Sequence, residues 1–469
     1  MDRKLKIKLP KKVIKLMERF QTANFECFVV GGFIRDQLLG HLDKTNSVDL
    51  ATNATPEEIL TLFPDGKYEN KFGTVILPLE DIAKILELKS TDFTKGEFFE
   101  VTTYRSEQDY TDNRHPDKVA WGKNILEDLK RRDFTINALA YDGKILKDEF
   151  CGEKDLTGKI IRTVGLATER FQEDALRMLR AIRFSAELGF KIEAKTLLAI
   201  AKNASLLQEI SMERIRDEFF KIITSKNPAS GVMLLKESGL LAFFLPELNE
   251  AFGVGQKSPE RHHIYDVGTH LVKTMAECRT TDPVLRLAAL LHDIGKPRVR
   301  KIDNRGIVTF YNHEVVGTEM AFEIGKRLRL SNKDLKKLTK LVRFHQFSVT
   351  EKQTIKALRR FIRDLGPEYL DDILELRRAD RLGSGAVESS WRTELFIKKL
   401  AEAQIIPFTV HDLEISGTEI INTLKLTPGP QVGKILDYLF EQVENQKLEN
   451  TQEALSLFVK NNSSELLEL

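Results

Sequence analysis

The scarcities in this chain are informative. Of 469 residues only three are cysteine, Cys27, Cys151 and Cys278, odd in number and never in a CxxC pair. That argues against a disulfide framework and a thiolate zinc site and fits a reducing compartment. No stretch approaches the roughly 18 consecutive apolar residues that span a bilayer, and the lysine-rich first ten residues hold no apolar leader core. A cytoplasmic protein with no membrane partner is therefore expected. Charge of one sign is not in excess either: 72 Lys plus Arg against 70 Asp plus Glu leave +2, so a nucleic-acid partner would be met by a local basic groove. Internal repeats and low-complexity tracts are absent. What remains is an ordinary globular composition, 42% hydrophobic, whose length allows about three domains.

Two chemically different halves follow. Residues 25–105 read as α/β. Glu26–Val30 is an apolar strand, Gly31-Gly32 a turn, and Phe33–Leu39 a helix start, while Thr55-Pro56-Glu57-Glu58 is a capping box opening a helix to about Phe63. Val75–Leu79 and Phe98–Arg105 read as strands. From about Thr168 onward apolar residues recur at three and four residue spacing, predicting helices over 173–188, 213–224, 282–291, 314–328, 332–344 and 431–446. Segments 249–261 and the stretch around Pro407 read as linkers. Six of nine histidines, His262, His263, His270, His292, His313 and His345, crowd into the second half.

The first half carries ordered motifs. Gly31-Gly32-Phe33-Ile34-Arg35 offers backbone amides and an arginine at a helix start, where phosphate is favoured. Residues 47 and 49 of Ser47-Val48-Asp49 share one face of a strand, and Glu100 in Phe99-Glu100-Val101 could complete a carboxylate cluster for Mg²⁺. Arg131-Arg132-Asp133 supplies two phosphate forks and a carboxylate suited to a ribose hydroxyl. In Glu173-Asp174-Ala175-Leu176-Arg177, Asp174 and Arg177 at i and i+3 of a helix face the same way. A carboxylate accepts from an exocyclic amine and a guanidinium donates to a ring acceptor, a pattern shared by cytosine and adenine and reversed in uracil and guanine. Arg180 and Arg183 continue the stripe towards phosphates. Glu213–Lys221 reads as a helix with structural ion pairing.

In order and spacing these motifs resemble the bacterial class II tRNA nucleotidyltransferases and their poly(A) polymerase relatives. The resemblance implies an α+β chain with a polymerase-β-like head over 1–160. A helical neck reading the nucleobase would span 161–250, an HD body 251–400 and a helical tail 401–469. It implies addition of C and A to the tRNA 3′ end from CTP and ATP, with tRNA as partner. Asp49, Glu100 and position 47 would be catalytic, Mg²⁺ would sit on Asp49 and Glu100, and Gly31, Gly32, Arg35, Arg131, Arg132, Asp133, Asp174, Arg177, Arg180 and Arg183 would hold the nucleotide. Arg105, Asp112 and Arg114 fall in or beside the loop that helps switch between CTP and ATP. The chain departs from the family at Ser47, where an aspartate is usual, and at Asn46, where a lysine is usual. A hydroxyl is a poor Mg²⁺ ligand beside a carboxylate, so slow catalysis is expected. Addition of only CC, only A or poly(A), and an RNA-binding homologue with an impaired head, remain open alternatives.

In the second half, His270, the pair His292-Asp293, His313, His345 and Asp380 resemble the HD phosphohydrolase superfamily. That resemblance implies a transition metal on His270, His292, Asp293 and Asp380, and leaves a metal phosphohydrolase as a further alternative. Pro428-Gly429-Pro430 in the tail is either a turn exposing amides to an RNA phosphate or a plain connector.

Overall fold

The apolar run Cys27–Val30 folds as a buried strand, since β-branched and aromatic residues without alternation suit a strand covered on both faces. It pairs antiparallel with Asp49–Thr52, which runs parallel to Phe98–Thr103. In Phe98–Thr103 alternation sends Phe99, Val101 and Thr103 inward. The strand stops at Thr103, two residues before the expected end, because Tyr104 turns its N–H to Thr52 O and Arg105–Gln108 pairs separately with Lys118–Trp121. These three strands are the middle of an eight-stranded mixed sheet. Phe28, Val30, Tyr104, Leu129 and Val164 share the core beneath it. This computed structural model describes all residues except 1–2, 5–6, 42–47, 71–72, 109–117, 123, 257–264, 305, 348–353, 405–409 and 446. Asn46, Ser47, Asp112 and Arg114 therefore lie outside the described residues, as do 257–261 of the first expected linker and 405–409 around Pro407.

Local signals set several helix starts. Thr55 and Glu58 form the reciprocal capping box of Pro56–Leu62. Asp282 caps Pro283–Leu291 through the amides of Val284 and Leu285, and Ser331 caps Asn332–Phe344. The helix expected over 173–188 is instead two, Ala167–Glu173 and Leu176–Leu188. At the break Asp174 is extended, with φ −149°. Its carboxylate accepts from Leu176 N–H at 3.0 Å, the local bonding by which Asp competes with a helix. Asp174 and Arg177 are therefore not on one helix face.

The chain divides into two compact units, residues 1–250 with 327–329, and residues 251–326 with 330–469. The first holds the sheet and the helices Leu176–Leu188, Met212–Ile223 and Pro228–Glu237. The second is almost wholly helical. Its last helices, Gly417–Leu424, Pro430–Glu444 and Gln452–Asn461, pack around Ile420, Ile435, Leu439 and Leu455. Pro430 begins its helix after an extended Gly429, as suits a residue with no N–H of its own. Among the described residues no helix is long and apolar enough to cross a membrane.

Candidate nucleotide cleft and metal cluster

A cavity of about 520 Å³ opens in the first unit. It gathers eleven residues expected from sequence: Gly31, Gly32, Arg35, Asp49, Arg131, Arg132, Asp133, Asp174, Arg177, Arg180 and Arg183. Glu100 is the parallel register partner of Asp49, so the two carboxylates project from neighbouring strands on one face. Two adjacent, solvent-accessible carboxylates suit a hard divalent cation. Ser47 falls outside the described residues.

Gly31 contributes differently from expectation. Its N–H is donated to Leu139 O at 3.3 Å and is not free for a phosphate. Its value is room: φ is +73°, and a Cβ there would lie 3.1 Å from Arg132 Nη1 and 3.8 Å from Asp49 Oδ2. The cations are left to face the anion.

Seven arginines line the cavity, and each has a carboxylate behind it. Arg35 donates to Asp36 Oδ1 at 2.8 Å and to Asn137 Oδ1 at 2.9 Å. Arg131 and Arg132 both pair with the fully buried Asp128, Arg132 at 3.0 Å. Arg177 donates to Glu173 at 2.6 Å and to Arg131 O at 3.2 Å. Arg180 Nε reaches Asp133 at 2.8 Å, Arg183 reaches Glu218 at 3.0 Å, and Arg214 reaches Asp174 at 2.9 Å. Burial alone would raise the carboxyls of Asp128 and Asp133. Arg131 and Arg132 for the first, and Arg180 with Arg177 for the second, hold them below the ordinary value. Asp133, expected to meet a ribose, thus also anchors Arg180.

Arg214, Asn137, Phe184 and Leu176 line the cavity without having been singled out for it. Arg214 sits on Met212–Ile223, whose ion pairing reads as structural from sequence, and 40 residues separate it from Asp174. Leu176 lies inside a quoted motif, where only its neighbours' charges drew notice, while Asn137 and Phe184 lie four residues beyond Asp133 and Arg180.

The second unit brings the HD residues together. Asp293 is the hub. Its Oδ2 lies 3.4 Å from His270 Nε2, 3.3 Å from His292 Nε2 and 2.6 Å from Lys296 Nζ. Its Oδ1 lies 3.1 Å from His313 Nε2 and 3.4 Å from His345 Nε2. Asp380 Oδ1 approaches His270 at 3.2 Å and His292 at 3.6 Å. Helix packing permits this convergence only because Gly295 has no side chain: a Cβ would fall 2.3 Å from His313 O. His292, His313 and His345 each place Nδ1 within 2.8 Å of the carbonyl three residues back, at Ala289, Phe310 and Val342. Donation from Nδ1 would leave each Nε2 as an inward-facing acceptor, the tautomer that a metal ligand needs. His270 and His292 Nε2 are 3.1 Å apart, and His313 and His345 Nε2 3.3 Å. Ring nitrogens held so close share either a proton or a cation. The sets His270–His292–Asp293 and Asp293–His313–His345 each have metal-ligand spacing.

The Poly A polymerase head domain family matches residues 27–162, a family described as an RNA- and SrmB-binding site of polymerase A matches 189–252, and tRNA nucleotidyltransferase domain 2 matches 311–459. The chain is 32% identical over 467 residues to a CCA-adding enzyme of Enterococcus faecalis, covering 97% of this chain and 96% of that one. It is 33% identical to a CCA-adding enzyme of Lactococcus lactis over 97% and 98% of the two chains. The fold superposes on the Bacillus stearothermophilus CCA-adding enzyme, solved in complex with CTP, with a TM-score of 0.68 at 26% identity over 98% and 99% of the chains. Identity of 32% and 33% over nearly the full length of both chains makes this chain a member of the CCA-adding enzyme family.

Proposed function

We propose that the chain is a template-independent tRNA nucleotidyltransferase that adds C and A to the tRNA 3′ end from CTP and ATP. The observation that carries this reading is that Asp174 and Arg177 open onto the same cavity as Arg35, Asp49 and Arg132. One compartment thus offers a base-reading edge, cations for a triphosphate and a carboxylate for the reacting end. The acceptor 3′-hydroxyl attacks the α-phosphorus, a new P–O bond forms, and the bond to the β-phosphate breaks to release pyrophosphate. Asp49 and Glu100 would hold Mg²⁺, which when bound neutralises phosphate charge and eases deprotonation of the attacking hydroxyl. Arg35, Arg131, Arg132, Arg180 and Arg183 hold the phosphates, Asp133 meets the ribose, and Asp174 with Arg177 selects a base that shows an amine beside an acceptor.

The same reading divides the chain into a head over 1–160, a neck over 161–250, an HD body over 251–400 and a tail over 401–469. In the body, His270, His292, Asp293 and Asp380 would hold a transition metal, with His313 and His345 on the far oxygen of Asp293; nitrogen and carboxylate donors suit Mn²⁺, Fe²⁺, Ni²⁺ or Zn²⁺. The test of the main activity is extension of tRNAs ending at the discriminator base, at C and at CC, with each nucleoside triphosphate supplied singly. A ladder of C, C, then A is the expected result. Runs of A on every primer would replace it with poly(A) addition, and no extension with retained tRNA binding would make the chain an RNA-binding homologue.

A further inference from the structure

Three cavity guanidiniums share a partner that is not an anion. The ring of Phe184 has the Arg183 guanidinium carbon 4.4 Å from its centroid, that of Arg35 5.2 Å away and that of Arg180 5.6 Å away. Phe184 is 5% exposed, yet it lines the nucleotide cavity. Phe134 fixes it edge-on, at 5.7 Å between centroids and 82° between planes. Arg180 and Arg183 come from its own helix and Arg35 from the helix after the glycine turn, so the ring joins head and neck elements.

We propose that Phe184 is a positioning residue for triphosphate binding, an uncharged, electron-rich platform that holds three mutually repelling guanidiniums together while leaving their charge available. The physical reason is competition. A carboxylate at this point would attract the arginines equally well, but it would neutralise them and repel the incoming phosphates. An aliphatic side chain would fill the space and attract nothing. The negative face of an aromatic ring offsets cation repulsion without adding an anion. The carboxylates Asp36, Asp133 and Glu218 orient the same arginines from their other sides. The proposal rests on the reading of this cavity as a nucleoside-triphosphate site and adds to it how the phosphate end is kept assembled.

The test separates electronic attraction from packing. Full-length protein is prepared with phenylalanine 184 replaced by its 4-fluoro, 3,5-difluoro and 3,4,5-trifluoro analogues, which withdraw electron density from the ring face at little change of shape, and with Phe184→Leu and Phe184→Tyr. KM and kcat for CTP and ATP, equilibrium binding of CTP and of inorganic tripolyphosphate, and the unfolding midpoint are measured for each. The expected result is a stepwise rise of KM with each fluorine, reaching about tenfold. Tripolyphosphate binding should weaken in parallel, kcat, the CTP-to-ATP preference and the midpoint should not change, and Phe184→Tyr, which keeps the aromatic face, should lose less tripolyphosphate binding than Phe184→Leu. Flat KM across the fluorinated series overturns the proposal, whether or not Phe184→Leu loses binding, because packing would then account for the residue. If wild-type protein binds neither CTP nor tripolyphosphate, the nucleotide reading itself fails and the proposal falls with it.

Discussion

Arg214 Nη2 donates to Asp174 Oδ2 at 2.9 Å, while the N–H of Leu176 takes Oδ1 at 3.0 Å. The carboxylate proposed to read a nucleobase amine is thus steered from both sides, once by a helix start and once by a residue far along the chain. On the proposed reading, this arrangement would turn a helix break into a fixed reading edge and give Arg214 a part in nucleotide choice.

Replacing Arg214 with alanine should release one side of Asp174 and leave its acceptor direction unspecified. A charge-assisted bond of this kind is worth roughly 1–3 kcal/mol, so incorporation of UTP and GTP relative to CTP should rise about tenfold. Single-turnover incorporation of each nucleotide measures this. Unchanged selectivity in Arg214→Ala would leave the pair a purely structural tie.

Arg177→Ala should weaken discrimination more directly. It removes the donor to the ring acceptor and also strips Glu173 of its 2.6 Å partner. Use of CTP and ATP should fall and the gap to UTP and GTP should narrow, again by roughly 1–3 kcal/mol. Competition assays with mixed nucleotides read the outcome, and an unaltered preference would reassign the base edge.

Asp128 clamps Arg131 and Arg132 from beneath, which makes a stability prediction with a definite sign. Its carboxyl is held below the ordinary value in the folded protein, so its contribution is whole above about pH 4, the unfolded value. That contribution is lost as pH falls further through the folded value. Asp128→Asn should cost about 3 kcal/mol at pH 7, and the difference from wild type should shrink on acidification below pH 4. Urea unfolding at pH 7 and across pH 4 to 2.5 gives both numbers. A difference that persists undiminished in acid would mean that shape, not charge, is what Asp128 supplies.

For the histidine cluster, purified protein should carry a transition metal that is lost when His292→Ala is combined with Asp293→Ala, while nucleotide addition persists. Elemental analysis beside an extension assay decides this. Metal content indifferent to the double change would make the cluster structural.

At Ser47 the prediction concerns rate. Restoring a carboxylate with Ser47→Asp should add a ligand beside Asp49 and raise the addition rate by at least an order of magnitude, on the order of 1.4 kcal/mol or more of transition-state stabilisation. CTP and tRNA binding should change little. Rapid CMP addition by the unaltered protein, with no gain from the substitution, would show that another residue completes the site.

Legibility of these features from sequence follows how local their causes are. The capping box Thr55–Glu58 was readable because it is completed within a few residues, while the Asp282 and Ser331 caps, equally local, went unread beneath helices expected from periodicity alone. Helix 332–344 matched its periodicity because one face packs and the other is wet. The break at Asp174 was not readable: neither Asp174 nor Ala175 is a strong breaker, and the pull on Asp174 comes partly from Arg214, 40 residues on. Asp128 drew no notice in the sequence, and only the fold reveals that it is buried beneath two arginines. Gly31 was legible as a turn residue before a helix, as its φ of +73° bears out, but the crowding by Arg132 arises in three dimensions and was not.

The parallel register that sets Asp49 opposite Glu100 has an evolutionary corollary. The two acids are aligned by backbone hydrogen bonds between adjacent strands, and the chain between them leaves the sheet for the Pro56–Leu62 helix and then returns through Lys67–Asn70 and Thr74–Pro78. Insertions or deletions in the connecting loops change the length of that excursion without shifting the ladder. A single-residue slip inside Phe98–Thr103, by contrast, turns Glu100 to the opposite face. Tolerance to length variation should therefore be high in the connections and close to nil within the two strands, so that lineages can remodel what surrounds the carboxylates while the pair itself is inherited unchanged.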